Sequence, residues 1–120
     1  GADTLVTAGG RVLGKPKDTN DAADMLRLLS GREHTVYTGI AVVCGGAIHT
    51  ASESTRVTFS SMTDDEIRDY ILTGEPMDKA GAYGIQGYGG KYITGIEGCF
   101  FNVMGLPLHR LYTMLKDPGL

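Results

Sequence analysis

Residues 1–7 are β-branched and apolar apart from Asp3, Gly9 and Gly10 interrupt them, and Val12-Leu13 resumes the run. Such a pattern predicts a β-hairpin, because the two central positions of its tight turn need positive φ, which glycine adopts without steric cost. The spacing then changes. Ala22, Met25, Leu26 and Leu29 fall at i, i+3, i+4 and i+7, one face of a helix, with Asp18, Thr19, Asn20 and Asp21 available for its cap and first turn and Gly31 for its end. Period two holds over residues 34–43 and 47–59 on either side of Gly45-Gly46, predicting a long second hairpin whose Val57 and Phe59 share a face. Thr63-Asp64-Asp65-Glu66 has capping-box spacing and opens a helix through Ile67, Tyr70 and Ile71, which Gly74 and Pro76 stop. A segment over 92–96, a turn at Glu97-Gly98 and a segment over 99–104 follow. Pro107 suits the first turn of a last helix, with Leu108, Leu111, Tyr112 and Leu115 expected to face the core.

Hairpins and helices without strict βαβ alternation point to an α/β fold with a mixed, largely antiparallel twisted sheet flanked by helices. With 120 residues the chain suffices for one hydrophobic core, so residues 1–120 are read as a single domain. Because the first residues already read as a strand with no solvated lead-in, the domain is expected to be truncated at its N-terminus.

Composition narrows the partners. Charged residues make up 21% and the net charge is −3, which argues against a nucleic-acid surface, where phosphates select clustered Lys and Arg. A small anionic ligand needs only a few local donors. No run approaches the ~20 apolar residues that span a bilayer, and no charged-then-apolar leader opens the chain, so no membrane association and a cytoplasmic location are expected. Cys44 and Cys99 lie in apolar runs without metal-ligand spacing and are read as reduced core residues. His34, His49 and His109 share no such spacing either, and no serine has a nucleophile-elbow setting.

Three places remain for chemistry. Asp3 is an acid among uncharged strand neighbours, which calls for solvent, a cationic partner or a metal. Lys15 lies on the loop leaving the same hairpin, which can return it towards Asp3. Residues 78–90, "DKAGAYGIQGYGG", hold five glycines between and around Lys79 and Gln86. Their backbone amides can approach an anion closely, and the Gln86 amide offers one donor and one acceptor, matching a uracil or thymine edge. The same stretch reads equally as a turn with a solvated glutamine. Tyr83 and Tyr88 suit either base stacking or the core, with at least one expected in the core.

Taken in order, "GADTLV", "LGKPKD", "MLRLLSGREHTVYTG", "TRVTF", "GEPMDKAGAYGIQGYGG" and "NVMGLPL" resemble the Maf family of nucleoside triphosphate pyrophosphatases over essentially the whole chain. "DKAGAYGIQG" looks like the branch that cleaves dTTP and UTP. The resemblance implies hydrolysis of these nucleotides to monophosphate and pyrophosphate, a housecleaning of nucleotide pools, with a divalent cation, Mg²⁺ or Mn²⁺, and a homodimer. It implies that Asp3 accepts the proton of the attacking water and associates with the metal, and that Lys15 neutralises polyphosphate charge. Thr4 and Gln86 match positions tied to substrate choice, with Lys79 a further cation beside them. The family's Ser-x-Ser-Pro-Arg-Arg phosphate loop and a following glutamate have no counterpart here. The chain is therefore expected to be roughly the C-terminal two-thirds of such a domain of ~100–200 residues, and a non-catalytic nucleotide-binding or division-regulating module is the alternative.

Overall fold

A computed structural model describes residues 1–116. Five strands, β1 (Ala2–Ala8), β2 (Arg11–Leu13), β3 (Glu33–Cys44), β4 (Ala47–Phe59) and β5 (Ile93–Glu97), form one sheet in the order β2-β1-β3-β4-β5, with every pair antiparallel. Helices α1 (Thr19–Leu29), α2 (Asp64–Leu72), α3 (Phe100–Met104) and α4 (Leu108–Lys116) complete it, with 3₁₀ turns at Glu75–Asp78, Ala80–Ala82 and Tyr88–Tyr92. No helix among the described residues is long and apolar enough to cross a membrane.

The predicted starts and stops hold. Gly9 and Gly10 take φ of 55° and 76° at the first hairpin turn, and Gly45 and Gly46 take 59° and 83° at the second. Asp18 caps α1 by accepting from the Asp21 N–H at 2.7 Å, and Thr63 and Glu66 close a reciprocal capping box on α2. The four residues spaced for the apolar face of α1 are all buried, Leu26 and Leu29 completely. They pack with Ile67 and Tyr70 of α2 onto the sheet face formed by Val6, Ala8, Val36, Val57 and Phe59. Each such aliphatic side chain contributes about 1.5–3 kcal/mol on burial.

Two expectations are corrected, and one untyped segment gains its structure. The segment after Glu97-Gly98 is the short helix α3. Its Asn102 is fully buried and donates through Nδ2 to the Val36 carbonyl at 3.1 Å and to Thr55 Oγ1 at 2.8 Å, which pins it to β3 and β4. The apolar residues of α4 do not face the core: Leu108, Tyr112 and Leu115 are exposed and Leu111 is half-buried. Amphipathic spacing specifies an apolar face but not what covers it, and the polar tie from α4 to the sheet is the Arg110–Glu53 ion pair at 2.6 Å. The cysteines are not core residues. β1 pairs with β3 only as far as Ala2 and Ile40, so Cys44 lies exposed at the far end of a two-stranded ribbon, while Cys99 is half-buried at the start of α3.

One backbone contact brings the two lysine-bearing loops together. The Gly81 N–H donates to the Gly14 carbonyl at 3.1 Å, one residue from Lys15. Gly81 has φ +74°, and a Cβ there would stand 2.9 to 3.2 Å from three carbons of Val6. Only glycine fits both demands. Gly81→Ala should therefore cost about 1–3 kcal/mol, the range for a side chain forced into the left-handed region, with the contact against β1 adding to it. Urea denaturation checks this, and an unchanged midpoint would contradict it.

Candidate active site

A cleft of about 280 Å³ opens where β1, the loop after β2, the glycine-rich segment and the end of α3 converge. Its polar lining is Asp3, Thr4, Lys15, Asp78 and Lys79, and its apolar floor includes Val6, Val36 and Tyr83. Four of the five residues singled out from the sequence thus meet in one place. The fifth does not. Gln86 is exposed and does not line the cleft, because the loop turns away before reaching it.

Each polar group has a distinct setting. Asp3 and Thr4 are neighbours on β1, and the pleat sends successive side chains to opposite sheet faces. Thr4 belongs with buried Val6 and Ala8; Asp3 is exposed, pairs in register with Gly39, and also borders a shallow depression lined by Ile40, Thr50 and Ala51. The cleft meets Asp3 at the strand's beginning. Lys15 is exposed, and Lys79 lies 3.7 Å from the carboxylate of its neighbour Asp78 in an exposed, weak pair. Two lysines and two aspartates line the cleft, so its lining residues are formally balanced in charge.

The glycine-rich segment divides into two parts with different tasks. Asp78 to Tyr83 forms the cleft wall. The rest wraps an internal anion, the carboxylate of Glu75, which accepts from the Tyr88 N–H and the Gly89 N–H at 2.9 Å each and from the Tyr70 hydroxyl. The Tyr70 oxygen in turn accepts from the Gly84 N–H at 3.0 Å. The expected approach of loop amides to an anion is real, but the anion is the protein's own. The spacing of glycines follows from it: a Cβ on Gly87 would overlap the Glu75 carboxylate, and one on Gly89 would come 2.8 Å from the Gly84 carbonyl oxygen. Burial and then the hydrogen bond to Glu75 push the Tyr70 pKa upward, so its hydroxyl stays protonated and keeps donating.

Tyr83 is the core tyrosine and Tyr88 the exposed one. Beneath the cleft the Tyr83 hydroxyl shares a 2.6 Å hydrogen bond with His34 Nε2, and both rings meet Phe59 edge-on. His34 Nδ1 is buried without a hydrogen-bond partner among the described residues. Burial lowers the His34 pKa from 6.5 to about 4 and raises that of Tyr83. Both are neutral near pH 7, so the cleft floor is an uncharged aromatic cluster.

A divalent cation has two carboxylates within reach of the cleft, Asp3 and Asp78. Among the described residues no group of three or more His, Cys, Asp or Glu could hold a metal ion by itself. That donor set suits Mg²⁺ or Mn²⁺ shared between one or two carboxylates and the phosphates of a ligand, rather than an all-protein cage.

Glu75, Thr38 and Asn102 organise this region and were not singled out from the sequence. The available signal for Glu75 was five glycines beyond it, more than a turn requires. Tyr70→Phe should cost about 1–3 kcal/mol, because it leaves the Gly84 amide without its acceptor and removes one of the two donors to Glu75 Oε2; thermal and urea unfolding measure it, and a neutral effect would refute the assigned role. His34 gives a pH prediction. Its folded pKa lies below its unfolded value, so the unfolded chain binds the extra proton, and stability present above pH 6.5 is lost as pH falls towards 4. That loss is roughly 3 kcal/mol at ~1.36 kcal/mol per unit. His34→Gln should shrink the stability difference between pH 7 and pH 4 by about that amount, whereas an undiminished difference would contradict it.

Comparison with known proteins gives the family. A family model described as "Maf-like protein" matches residues 1–118. The chain is 56% identical over 121 residues to a dTTP/UTP pyrophosphatase of Pelotomaculum thermopropionicum, with 99% of the chain and 63% of that relative covered. Proteins of the same name from Clostridium botulinum (strain Eklund 17B) and Koribacter versatilis are each 55% identical, covering 97% and 99% of the chain and 63% and 62% of the relatives. The chain thus spans a little under two-thirds of the length of these relatives. With the matching model running nearly end to end, the chain belongs to the Maf-like family.

Proposed function

We propose that the cleft takes a pyrimidine nucleoside triphosphate, dTTP or UTP, and that the protein of which it is part hydrolyses it to the monophosphate and pyrophosphate. The convergence of Asp3, Thr4, Lys15 and Lys79 on one cleft carries the reading, supported by the name shared by the relatives. A cavity of about 280 Å³ suits a nucleoside-sized group rather than a whole triphosphate, so the polyphosphate extends along the lysines at the mouth.

In this reading a water molecule attacks the α-phosphorus, and Asp3 takes its proton as the new P–O bond forms. The bond from the α-phosphorus to the bridging oxygen breaks, and pyrophosphate leaves with the electron pair. Lys15 and Lys79 offset the charge of the phosphates, a task for which mobile point cations serve well. Because their charge is balanced by Asp3 and Asp78, a polyanion requires more positive charge than the side chains lining the cleft supply. A divalent cation held by Asp3 and Asp78 would supply it and polarise the phosphoryl oxygens. Gln86, outside the cleft, reaches a base only through movement of its loop. Housecleaning of nucleotide pools in the cytoplasm, by a homodimer, belongs to the same proposal.

The test is pyrophosphate release from dTTP, UTP, CTP and ITP with Mg²⁺ or Mn²⁺, by this chain and its Asp3→Asn variant. Release confined to dTTP and UTP and lowered at least ~100-fold in the variant is expected, the span of a general base being ~10²–10⁴. Full release by the variant would remove Asp3 from its role. Saturable binding without turnover would favour the alternative of a nucleotide-binding module.

A further inference from the structure

Behind the cleft a chain of three oxygens has only one possible order of protons. Thr38 is fully buried on β3, and its Oγ1 lies 2.9 Å from Thr4 Oγ1 and 3.1 Å from the Asn102 carbonyl oxygen. A carbonyl can only accept, so Thr38 spends its single proton on Asn102. Thr4 must then donate to Thr38. Its proton faces inward, and what its oxygen has left for the cleft is lone pairs. The far end of the chain is fixed as well: the Asn102 carbonyl also accepts from the Gly105 N–H at 2.9 Å, and the Asn102 side chain is tied to Val36 and Thr55. Gly105 keeps the outlet open. It lines the cleft with Thr4, and a Cβ there would lie 3.6 Å from Thr4 Oγ1.

We propose that Thr38 is a positioning residue that makes Thr4 an acceptor-only group in the cleft, so that the ligand atom meeting it must be a donor, the imide N–H of a uracil or thymine ring. The proposal rests on the pyrimidine nucleotide reading of the same cleft and deepens it. UTP and dTTP both carry that imide N–H, whereas cytosine has a ring-nitrogen acceptor in its place. Two acceptors facing one another repel, and an oxygen whose proton is already committed cannot turn to relieve them. A threonine with a free hydroxyl rotor would accept from one base and donate to the other and would discriminate little. Selection against cytosine therefore depends on a residue that never touches the ligand.

Calorimetric titration of this chain with UTP, CTP and N3-methyl-UTP, which lacks the imide proton, tests the idea in the parent and in Thr38→Val, Thr38→Ser and Thr55→Val. The parent should prefer UTP over both others. Thr38→Val, which keeps the shape but frees the Thr4 proton, should strengthen CTP binding relative to UTP by about tenfold, the worth of one hydrogen bond. Thr38→Ser, which keeps the hydroxyl, should retain the parent's ratio. Thr55 serves the same network without touching Thr4, so Thr55→Val should lower the melting temperature and leave the ratio unchanged. An unchanged ratio in Thr38→Val, alongside tight UTP binding, overturns the role of Thr38 and leaves the nucleotide reading intact. Equal parent affinities for UTP and N3-methyl-UTP would show that the donor is not the imide, and a loss with 2′- or 3′-deoxy-UTP instead would identify it as a sugar hydroxyl. No saturable binding of any of these by the parent overturns the nucleotide reading and this proposal with it.

Discussion

The Glu75 carboxylate is the group about which the back of the glycine-rich loop, behind the cleft wall, is built. Two backbone amides and the Tyr70 hydroxyl converge on it, and Tyr70 holds a further loop amide through the same oxygen. A segment with so many glycines has a large conformational entropy to lose on ordering, which the burial of Ala82, Tyr83 and Ile85 offsets in part. Charge-assisted hydrogen bonds to an internal carboxylate are stronger than those between neutral groups and supply the missing order. With the back of the loop fixed in this way, its front is held against β1 through Gly81 and Val6, and Lys79 is delivered to the cleft beside Lys15.

The cleft is also stiffened from below and behind. Below it, His34, Phe59 and Tyr83 form an uncharged cluster whose one polar contact is internal to it. Behind it, Asn102 joins α3 to β3 and β4, so that a five-residue helix too short to be stable alone is held by its side-chain amide and its carbonyl. The polar groups that line the cleft, Asp3, Lys15, Asp78 and Lys79, are the exposed and solvated ones. The cleft thus combines an apolar, packed floor with a charged, solvated rim.

Much of the framework was legible from local rules. The glycine pairs Gly9-Gly10 and Gly45-Gly46 between β-prone runs, the spacing of Ala22, Met25, Leu26 and Leu29, and the Thr63–Glu66 capping box each specify structure within a few residues, and each is present. What could not be read depends on residues distant in the chain. Asn102 makes a helix of an apolar segment through Val36 and Thr55, 66 and 47 residues away. The apolar face of α4 and the cysteines were assigned to a core because periodicity reports that a face is apolar, not that anything lies over it. For the site, the family-like blocks supplied Asp3, Thr4, Lys15, Lys79 and Gln86 alike; the first four line one cleft, and Gln86 stands outside it because the end of its loop folds around Glu75.

Backbone amide shifts followed by NMR during titration with dTTP and Mg²⁺ would test most directly whether this cleft is the nucleotide site. The account predicts saturable shifts at Asp3, Thr4, Lys15, Lys79 and Gly105, with the amides of Tyr88 and Gly89 unmoved because Glu75 already occupies them. Shifts centred on Tyr88 and Gly89, with the cleft residues silent, would mean that the ligand competes with Glu75 for the loop, and would contradict the assignment of that carboxylate as its permanent anchor.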